Sequence, residues 1–153
     1  MIDEKVRGLL ETTRNAFYIG RGQDYYVAME ASLKLKEISY IQCEGFAAGE
    51  LKHGTIALIE EGTPVIALLS DPVLASHTRG NIQEVVSRGA NIITIVGKDF
   101  AREGDDVVLP EINYYMSALL TVVPAQLLAY YASKDKGLDV DKPRNLAKSV
   151  TVE

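Results

Sequence analysis

The sequence contains the stretch Ala16-Phe17-Tyr18-Ile19-Gly20-Arg21-Gly22, in which a short apolar, aromatic run meets a glycine-rich turn. A long helical pattern follows from about Asp24. Apolar residues in that pattern recur at steps of three and four, which predicts one buried stripe along a helix. The stripe consists of Ala28, Ala31, Leu35 and Ile38. The sequence therefore predicts a β-strand, a tight turn and an α-helix here.

Three other runs predict strands. Residues 64–69 and 91–96 are almost entirely apolar, which is typical of strands covered on both faces of a sheet. Residues 106–110 form a shorter run that ends in proline and that we place near an edge. Between the first two runs, Asp71-Pro72 supplies an N-cap and a first-turn proline for a helix that ends near Gly89.

The order of these elements predicts the fold. Residues 43–62 are rich in glycine and are interpreted as a long functional loop with one helical turn. The order is then β-α-β-α-β-β-α, and parallel strands need crossovers that helices commonly supply. The sequence predicts an α/β fold, a three-layer α/β/α sandwich with a mostly parallel, flavodoxin-like sheet. We expect one domain over residues 1–153, with residues 138–153 as an irregular C-terminal tail.

Composition limits the function classes. The 153 residues are 47% apolar and carry a net charge of −5, from 16 basic and 21 acidic side chains, which suits an ordinary globular domain. Lys and Arg are not clustered, so we expect no nucleic-acid partner. Cys43 is the only cysteine. We therefore expect no intrachain disulfide and a cytoplasmic location, and a metal site would have to rest on carboxylates and two distant histidines.

One uncharged stretch, residues 112–133, is long enough to span a bilayer, which takes about 20 residues. It contains four tyrosines, a glutamine and Pro124. Those residues favour a helix buried against a sheet over a helix that faces lipid. We therefore expect no membrane span.

Two features near the first helix are candidate sites, and each has an ordinary structural alternative. The Gly20-Arg21-Gly22 turn can offer amide donors to an anion, although glycine is also the usual residue of a tight turn. Tyr25 stands where a dinucleotide-binding fingerprint needs its third glycine. Lys34 and Glu37 lie three residues apart on one helix, as either a solvated ion pair or acid–base groups.

Two more residues are candidates for chemistry. His53 lies in the glycine-rich segment, and histidine suits proton transfer because its unperturbed side chain titrates near neutral pH. Lys148 is either a surface lysine or an amine that attacks carbonyls. The residues alone do not decide between these alternatives.

Three segments resemble one enzyme family. They are Leu33-Lys34-Leu35-Lys36-Glu37-Ile38-Ser39-Tyr40, Ala48-Gly49-Glu50-Leu51-Lys52-His53-Gly54 and Asp141-Lys142-Pro143-Arg144-Asn145-Leu146-Ala147-Lys148-Ser149-Val150-Thr151-Val152-Glu153. The chain is similar through them to the glutamine-fructose-6-phosphate aminotransferases, or glucosamine-6-phosphate synthases, and the third segment is the most specific. These enzymes have a glutaminase domain and two sugar isomerase (SIS) domains, and the chain resembles the second SIS domain alone.

The resemblance implies roles for four residues. Glu37 matches the carboxylate that moves a proton between C1 and C2 of the sugar, and Lys34 matches the lysine that assists it. His53 matches the histidine that opens the fructose ring, acting from a neighbouring subunit. Lys148 matches the lysine that forms a Schiff base with fructose 6-phosphate. The resemblance implies no cofactor and no metal.

The resemblance also implies partners. These are fructose 6-phosphate, glucosamine 6-phosphate, the glutaminase and first SIS domains of a longer chain, and a second copy in a homodimer. The phosphate-binding loop of the first SIS domain has no counterpart here, so the isolated chain is expected to be inactive. The alternative is a non-catalytic SIS module that binds a sugar phosphate, which would not need the Schiff-base lysine Lys148.

Overall fold

The computed structural model describes residues 2–145, which form a five-stranded parallel sheet with helices on both faces. The strands are β1 (Asn15–Gly20), β2 (Gln42–Ala47), β3 (Pro64–Leu69), β4 (Asn91–Gly97) and β5 (Val107–Leu109), in the order β2-β1-β3-β4-β5. The helices are α1 (Ile2–Leu9), α2 (Gln23–Ser39), α3 (Ala75–Val86) and α4 (Ser117–Asp135). Short 3-10 helices lie at Ala48–His53, Thr55–Leu58, Lys98–Phe100 and Tyr114–Met116.

The sheet separates two hydrophobic clusters. Helices α1, α2 and α4 cover one face, to which Tyr18 and Ile66 contribute, while α3 and the 3-10 helix Ala48–His53 cover the other, to which Phe17 and Val65 contribute. Alternate residues of a strand point to opposite faces. Because both faces of the sheet are covered, β3 is buried along its whole length. The predicted three-layer α/β/α sandwich with a parallel, flavodoxin-like sheet is confirmed.

The prediction of a loop over residues 43–62 is wrong, because the segment begins within strand β2 and continues as two 3-10 helices. As an edge strand that pairs only with β1, β2 lacks the continuous apolar pattern of a central strand. Gly45 suggests a loop, yet a Cβ there would lie 2.7 Å from the backbone of Ala28. This glycine allows α2 to pack closely on the strand, and the sequence pattern does not distinguish that use from a turn.

The predicted N-cap at Asp71 is wrong, because α3 begins at Ala75 with Leu74 as its N-cap; Asp71 instead stabilises the turn that precedes the helix. Its Oδ1 accepts hydrogen bonds from the N–H groups of Val73 at 2.8 Å and Leu74 at 3.0 Å. Its carbonyl accepts the N–H of Ala75 at 2.9 Å. The chain therefore turns into α3 directly from the end of β3, and α3 ends shortly before Gly89.

Helix α4 has the length and composition of a membrane span, but it packs on the sheet. Residues Tyr114–Asp135 are long and apolar enough to cross a bilayer, and 44% of their most apolar window is buried in this structure. Pro124 lies inside the helix, while Ala125, Leu128 and Ala129 are buried in the cluster shared with α2. The predicted packing of this helix against the sheet is confirmed.

Tyr18 has a buried hydroxyl group that lacks a hydrogen-bond partner among residues 2–145. The side chain is 0% exposed in the centre of β1. Burial, and secondarily the neighbouring Cys43, raise the pKa of its phenol. A buried polar group without a partner costs about 1–3 kcal/mol, so this hydroxyl destabilises the fold.

We expect Tyr18→Phe to raise the free energy of unfolding by about 1 kcal/mol, because it removes only the unpaired hydroxyl. Urea denaturation of the chain measures this change. Tyr114→Phe is the matched control, since the Tyr114 hydroxyl donates to Asp71 Oδ2 at 2.8 Å and its loss should lower stability. A less stable Tyr18→Phe variant would contradict this account of the core.

Candidate functional site

The last turns of α2 carry the candidate acid–base pair. Lys34 Nζ lies 2.9 Å from Glu37 Oε2 and 3.5 Å from Glu30 Oε1. The hydrogen bond with Glu37 raises the pKa of Lys34, so the ammonium stays charged beside the carboxylate. A pair this exposed contributes only about 0–1 kcal/mol to stability. The ammonium nevertheless holds the carboxylate in one orientation, and proton transfer by a side chain needs such positioning.

The end of α2 that carries this pair is held by hydrogen bonds. Tyr40 follows the helix in the left-handed conformation, with φ 59° and ψ 18°, and its N–H donates to the Lys36 carbonyl at 3.2 Å. Ser133 Oγ on α4 donates to the Ile38 carbonyl at 2.7 Å. These donors satisfy carbonyls that the last turn of a helix otherwise leaves unpaired, which fixes the end of α2 against α4.

The chain after α4 returns to the same end of α2. The N–H of Arg144 donates to Tyr40 Oη at 2.8 Å, and the Arg144 guanidinium carbon lies 4.0 Å from the centroid of the Tyr40 ring. The chain shortly before Lys148 is thus placed beside the last turn of α2. Lys148 itself lies outside the described residues, so its role stays a prediction.

His53 and Glu37 lie at opposite ends of the parallel strands. It ends the 3-10 helix Ala48–His53, which follows the carboxyl end of β2, and it is exposed. Glu37 lies just before the amino end of the same strand. Strand β2, which lies between the two segments, is about 20 Å long. One chain therefore brings Lys34 and Glu37 together but does not bring His53 to them.

The glycine turn at the carboxyl end of β1 has the geometry of a tight turn. The N–H of Asp24 donates to the Arg21 carbonyl at 3.1 Å, and the N–H of Tyr25 donates to the Gly22 carbonyl at 3.3 Å. Gly22 has φ +56°, and a Cβ on Gly20 would lie 2.5 Å from the backbone of Asp24. Turn geometry requires both glycines, and the amides of Asp24 and Tyr25 are hydrogen-bonded within the turn.

A buried carboxylate that the sequence analysis missed lies at the same carboxyl end of the strands. Asp24 is 2% exposed. Its Oδ2 accepts the N–H groups of Ser70 at 2.7 Å and Asp71 at 3.3 Å, and its Oδ1 accepts the Ser70 hydroxyl at 2.5 Å. Burial raises the pKa of Asp24 against the opposing effect of these bonds. An acidic residue in the first turn of a helix ordinarily interacts with the helix dipole at the surface, so its position gave no sign of this role.

The side chains of residues 2–145 include no group of three or more His, Cys, Asp or Glu that could hold a metal ion. The groups that the structure does bring together, Lys34 and Glu37, are suited to proton transfer.

We expect Asp24→Ala to lower the free energy of unfolding by about 2–3 kcal/mol, because it leaves the buried Ser70 N–H and hydroxyl without their acceptor. Asp24→Asn should cost less than half as much. Its amide oxygen can accept the Ser70 N–H, and its NH₂ can donate to Ser70 Oγ, which then donates to Ser117 Oγ, 3.0 Å away. Urea denaturation distinguishes the two variants, with Asp99→Asn as the exposed control. Equal stability of Asp24→Ala and the parent chain would contradict this assignment.

Known proteins with similar sequences are longer than this chain. It is 76% identical over 152 residues to the glutamine--fructose-6-phosphate aminotransferase (isomerizing) of Streptococcus pneumoniae, a match that covers 99% of this chain and 25% of that protein. The relative from Streptococcus mutans with the same name is 70% identical over 154 residues, covering 100% of this chain and 26% of its own length. The chain therefore spans about a quarter of the length of these relatives.

A solved structure and a family pattern agree with this similarity. The C-terminal domain of glucosamine-fructose-6-phosphate aminotransferase from Francisella tularensis superposes with a TM-score of 0.83 at 35% identity, covering 92% of this chain and 41% of that chain. The SIS domain pattern matches residues 9–133, a range that contains all five described strands and the pair Lys34 and Glu37. The family resemblance predicted from the sequence is confirmed, and the chain belongs to the SIS domain family.

Proposed function

We propose that this chain is the C-terminal isomerase domain of a glutamine-fructose-6-phosphate aminotransferase. In that role it supplies acid–base and imine-forming groups for converting fructose 6-phosphate to glucosamine 6-phosphate. The observation that carries the proposal is 76% identity to such an enzyme across 99% of this chain. Because the match covers 25% of that enzyme, the release of ammonia from glutamine is assigned to the remainder of the longer protein.

Glu37 is assigned the proton transfer between C1 and C2 of the sugar. A carboxylate can take the proton from C1 and return it at C2 if it is ionised and held in one place. The Lys34 ammonium, 2.9 Å from Glu37 Oε2, holds the carboxylate in one place by a charge-assisted hydrogen bond. The pair is on a rigid helix, which suits a transfer between two adjacent carbons.

Lys148 is assigned the Schiff base. Its uncharged amine attacks the C2 carbonyl of open-chain fructose 6-phosphate, the resulting carbinolamine loses water, and the imine makes the C1–H more acidic. Arg144 is fixed beside the end of α2. Lys148 follows four residues later, and four extended residues span at most about 14 Å. The last described residues of the tail thus lie beside the helix that carries Glu37.

Lys148→Arg in the full-length enzyme should abolish borohydride trapping of fructose 6-phosphate, because a guanidinium stays protonated and cannot attack a carbonyl. The mass of the protein after reduction measures the adduct. Lys142→Arg, in the same tail, is the matched control and should be trapped normally. Unchanged trapping in Lys148→Arg would remove Lys148 from the mechanism. Sugar-phosphate binding without any adduct in the unmodified enzyme would favour the non-catalytic SIS module instead.

Ring opening is assigned to His53 acting in the site of a neighbouring subunit. The opposite placement of His53 and Glu37 on the sheet supports this, because a single chain cannot use both at one sugar. The working unit is then a homodimer, the commonest closed assembly.

Apolar side chains on the outer face of α2 also point to further contacts. Tyr26, Met29 and Leu33 are exposed there, at spacings that place them on one helix face. Leu119 and Val123 on the neighbouring α4 are also exposed. Monomeric proteins seldom leave large apolar patches in water, and we assign this one to contacts within the longer enzyme.

Two inactive variants of the full-length enzyme should restore each other. His53→Ala and Glu37→Gln should each lose activity alone. Co-expressed subunits that pair at random should regain about a quarter of normal activity, because half the dimers carry one site with both residues intact. Glucosamine 6-phosphate formation measures the recovery, and co-expression of His53→Ala with Lys34→Ala provides a second pairing. Failure of both pairings to recover any activity would place His53 in its own subunit's site or outside the site altogether.

A further inference from the structure

Arg21, in the glycine turn after β1, is held in one position by α3. Its Nε donates to Oδ1 of Asn81 at 3.0 Å. Asn81 is only 5% exposed, and its Nδ2 donates to Glu84 Oε2 at 3.1 Å, which turns its amide oxygen towards Arg21. The arginine side chain is therefore anchored to a helix that packs on the sheet.

The anchored guanidinium lies against Gly49. A Cβ added to Gly49 would lie 2.6 Å from Nη2, 2.9 Å from Cζ and 3.0 Å from Nη1 of Arg21. Contacts this short leave no room for a side chain at this position. The backbone of Gly49 does not have a positive φ, so the guanidinium, and not the backbone conformation, explains a glycine here.

Gly49 belongs to the 3-10 helix that ends at His53. Such a helix has three faces, because residues three apart eclipse one another. Ala48 and Leu51 form one face and are 0% and 1% exposed in the hydrophobic cluster shared with α3. Gly49 begins the second face, and His53 lies on the third, which is exposed. Arg21 thus contacts the helix about 120° away from its buried face.

Contacts on two different faces keep this short helix from rolling. Burial of one face alone does not fix rotation about the helix axis, because apolar contacts are non-directional. The guanidinium beside Gly49 blocks rotation towards it, since atoms cannot overlap. His53 ends the same helix, so the direction in which its side chain points depends on that rotation.

We propose that Arg21 is a positioning residue that fixes the orientation of His53 for ring opening. This inference rests on the function proposed above, in which His53 acts in the site of a neighbouring subunit. In ring opening the C2 hydroxyl of the furanose loses a proton, the C2–O5 bond breaks and O5 gains a proton, which yields a C2 carbonyl and a C5 hydroxyl. A side chain that carries this proton has to lie within hydrogen-bond reach, about 3 Å, of these oxygens.

Gly49→Ala in the full-length enzyme tests the contact without changing a charge. Its methyl group should displace the Arg21 guanidinium. We expect the rate of glucosamine 6-phosphate formation to fall about tenfold, since a misplacement of 1 Å can cost up to about 100-fold. Arg21→Lys should show a similar loss, because an ammonium keeps the charge but lacks the planar guanidinium and its Nε–H.

Two matched controls should keep the normal rate. Gly80→Ala adds a methyl group where no atom of residues 2–145 beyond the adjoining helix backbone lies within 4 Å. Arg88→Lys makes the same arginine-to-lysine change at an exposed position.

A substrate that is always open gives a second measurement. An analogue of fructose 6-phosphate that lacks the C5 hydroxyl cannot close the furanose ring, so its conversion does not need ring opening. We expect Gly49→Ala and Arg21→Lys to convert this analogue at the rate of the unmodified enzyme. Equal slowing with both substrates would overturn the inference.

A double variant, which needs only fructose 6-phosphate, separates positioning of His53 from a general structural effect. His53→Ala should lower the rate about 100-fold or more, and adding Gly49→Ala should slow the reaction no further, because the methyl group acts only through the histidine. A further fall would overturn the inference while leaving the proposed function intact. So would a normal rate in Gly49→Ala, or a slower rate that tracks a lowered thermal unfolding midpoint. If His53→Ala forms product at the normal rate, the proposed role of His53 itself fails.

Discussion

Helix α2 lies so close to the sheet that side chains are excluded at two positions beneath it. A Cβ on Gly20 would lie 2.5 Å from the backbone of Asp24, and a Cβ on Gly45 would lie 2.7 Å from the backbone of Ala28. Any larger residue at either position would move the helix, because backbone atoms at that distance cannot yield. Lys34 and Glu37 take their position from this helix, so the two glycines determine where the candidate acid–base pair lies.

The two ends of α2 are held by different contacts. At its start, the buried carboxylate of Asp24 accepts hydrogen bonds from Ser70 at the end of β3. At its end, Ser133 on α4 donates to the Ile38 carbonyl. These bonds are buried or partly buried, whereas the pair of Lys34 and Glu37 is partly exposed and adds little stability. The helix is therefore stabilised by groups other than those proposed for the chemistry, and substitutions in the pair can alter chemistry without unfolding the domain.

The fold was largely predictable because central parallel strands and an amphipathic helix leave simple periodic patterns, as in β3, β4 and α2. Strand β2 was not, since an edge strand with a packing glycine resembles a loop. The Asp24 bonds join residues 46 positions apart, which no local pattern reveals. The spacing of Lys34 and Glu37 predicted contact, but only the family resemblance suggested its chemical meaning, because solvated ion pairs have the same spacing.

The distance between His53 and Glu37 follows from topology rather than from local detail. In a parallel β-α-β unit the connecting helix runs antiparallel to both strands. The carboxyl end of α2 therefore lies at the amino end of the strands, and the segment after β2 lies at their carboxyl end. The segment that carries Glu37 precedes β2, and the segment that carries His53 follows it. Strand β2, about 20 Å long, lies between the two segments. This placement is why the proposed reaction, which uses both residues on one sugar, takes His53 from a second chain.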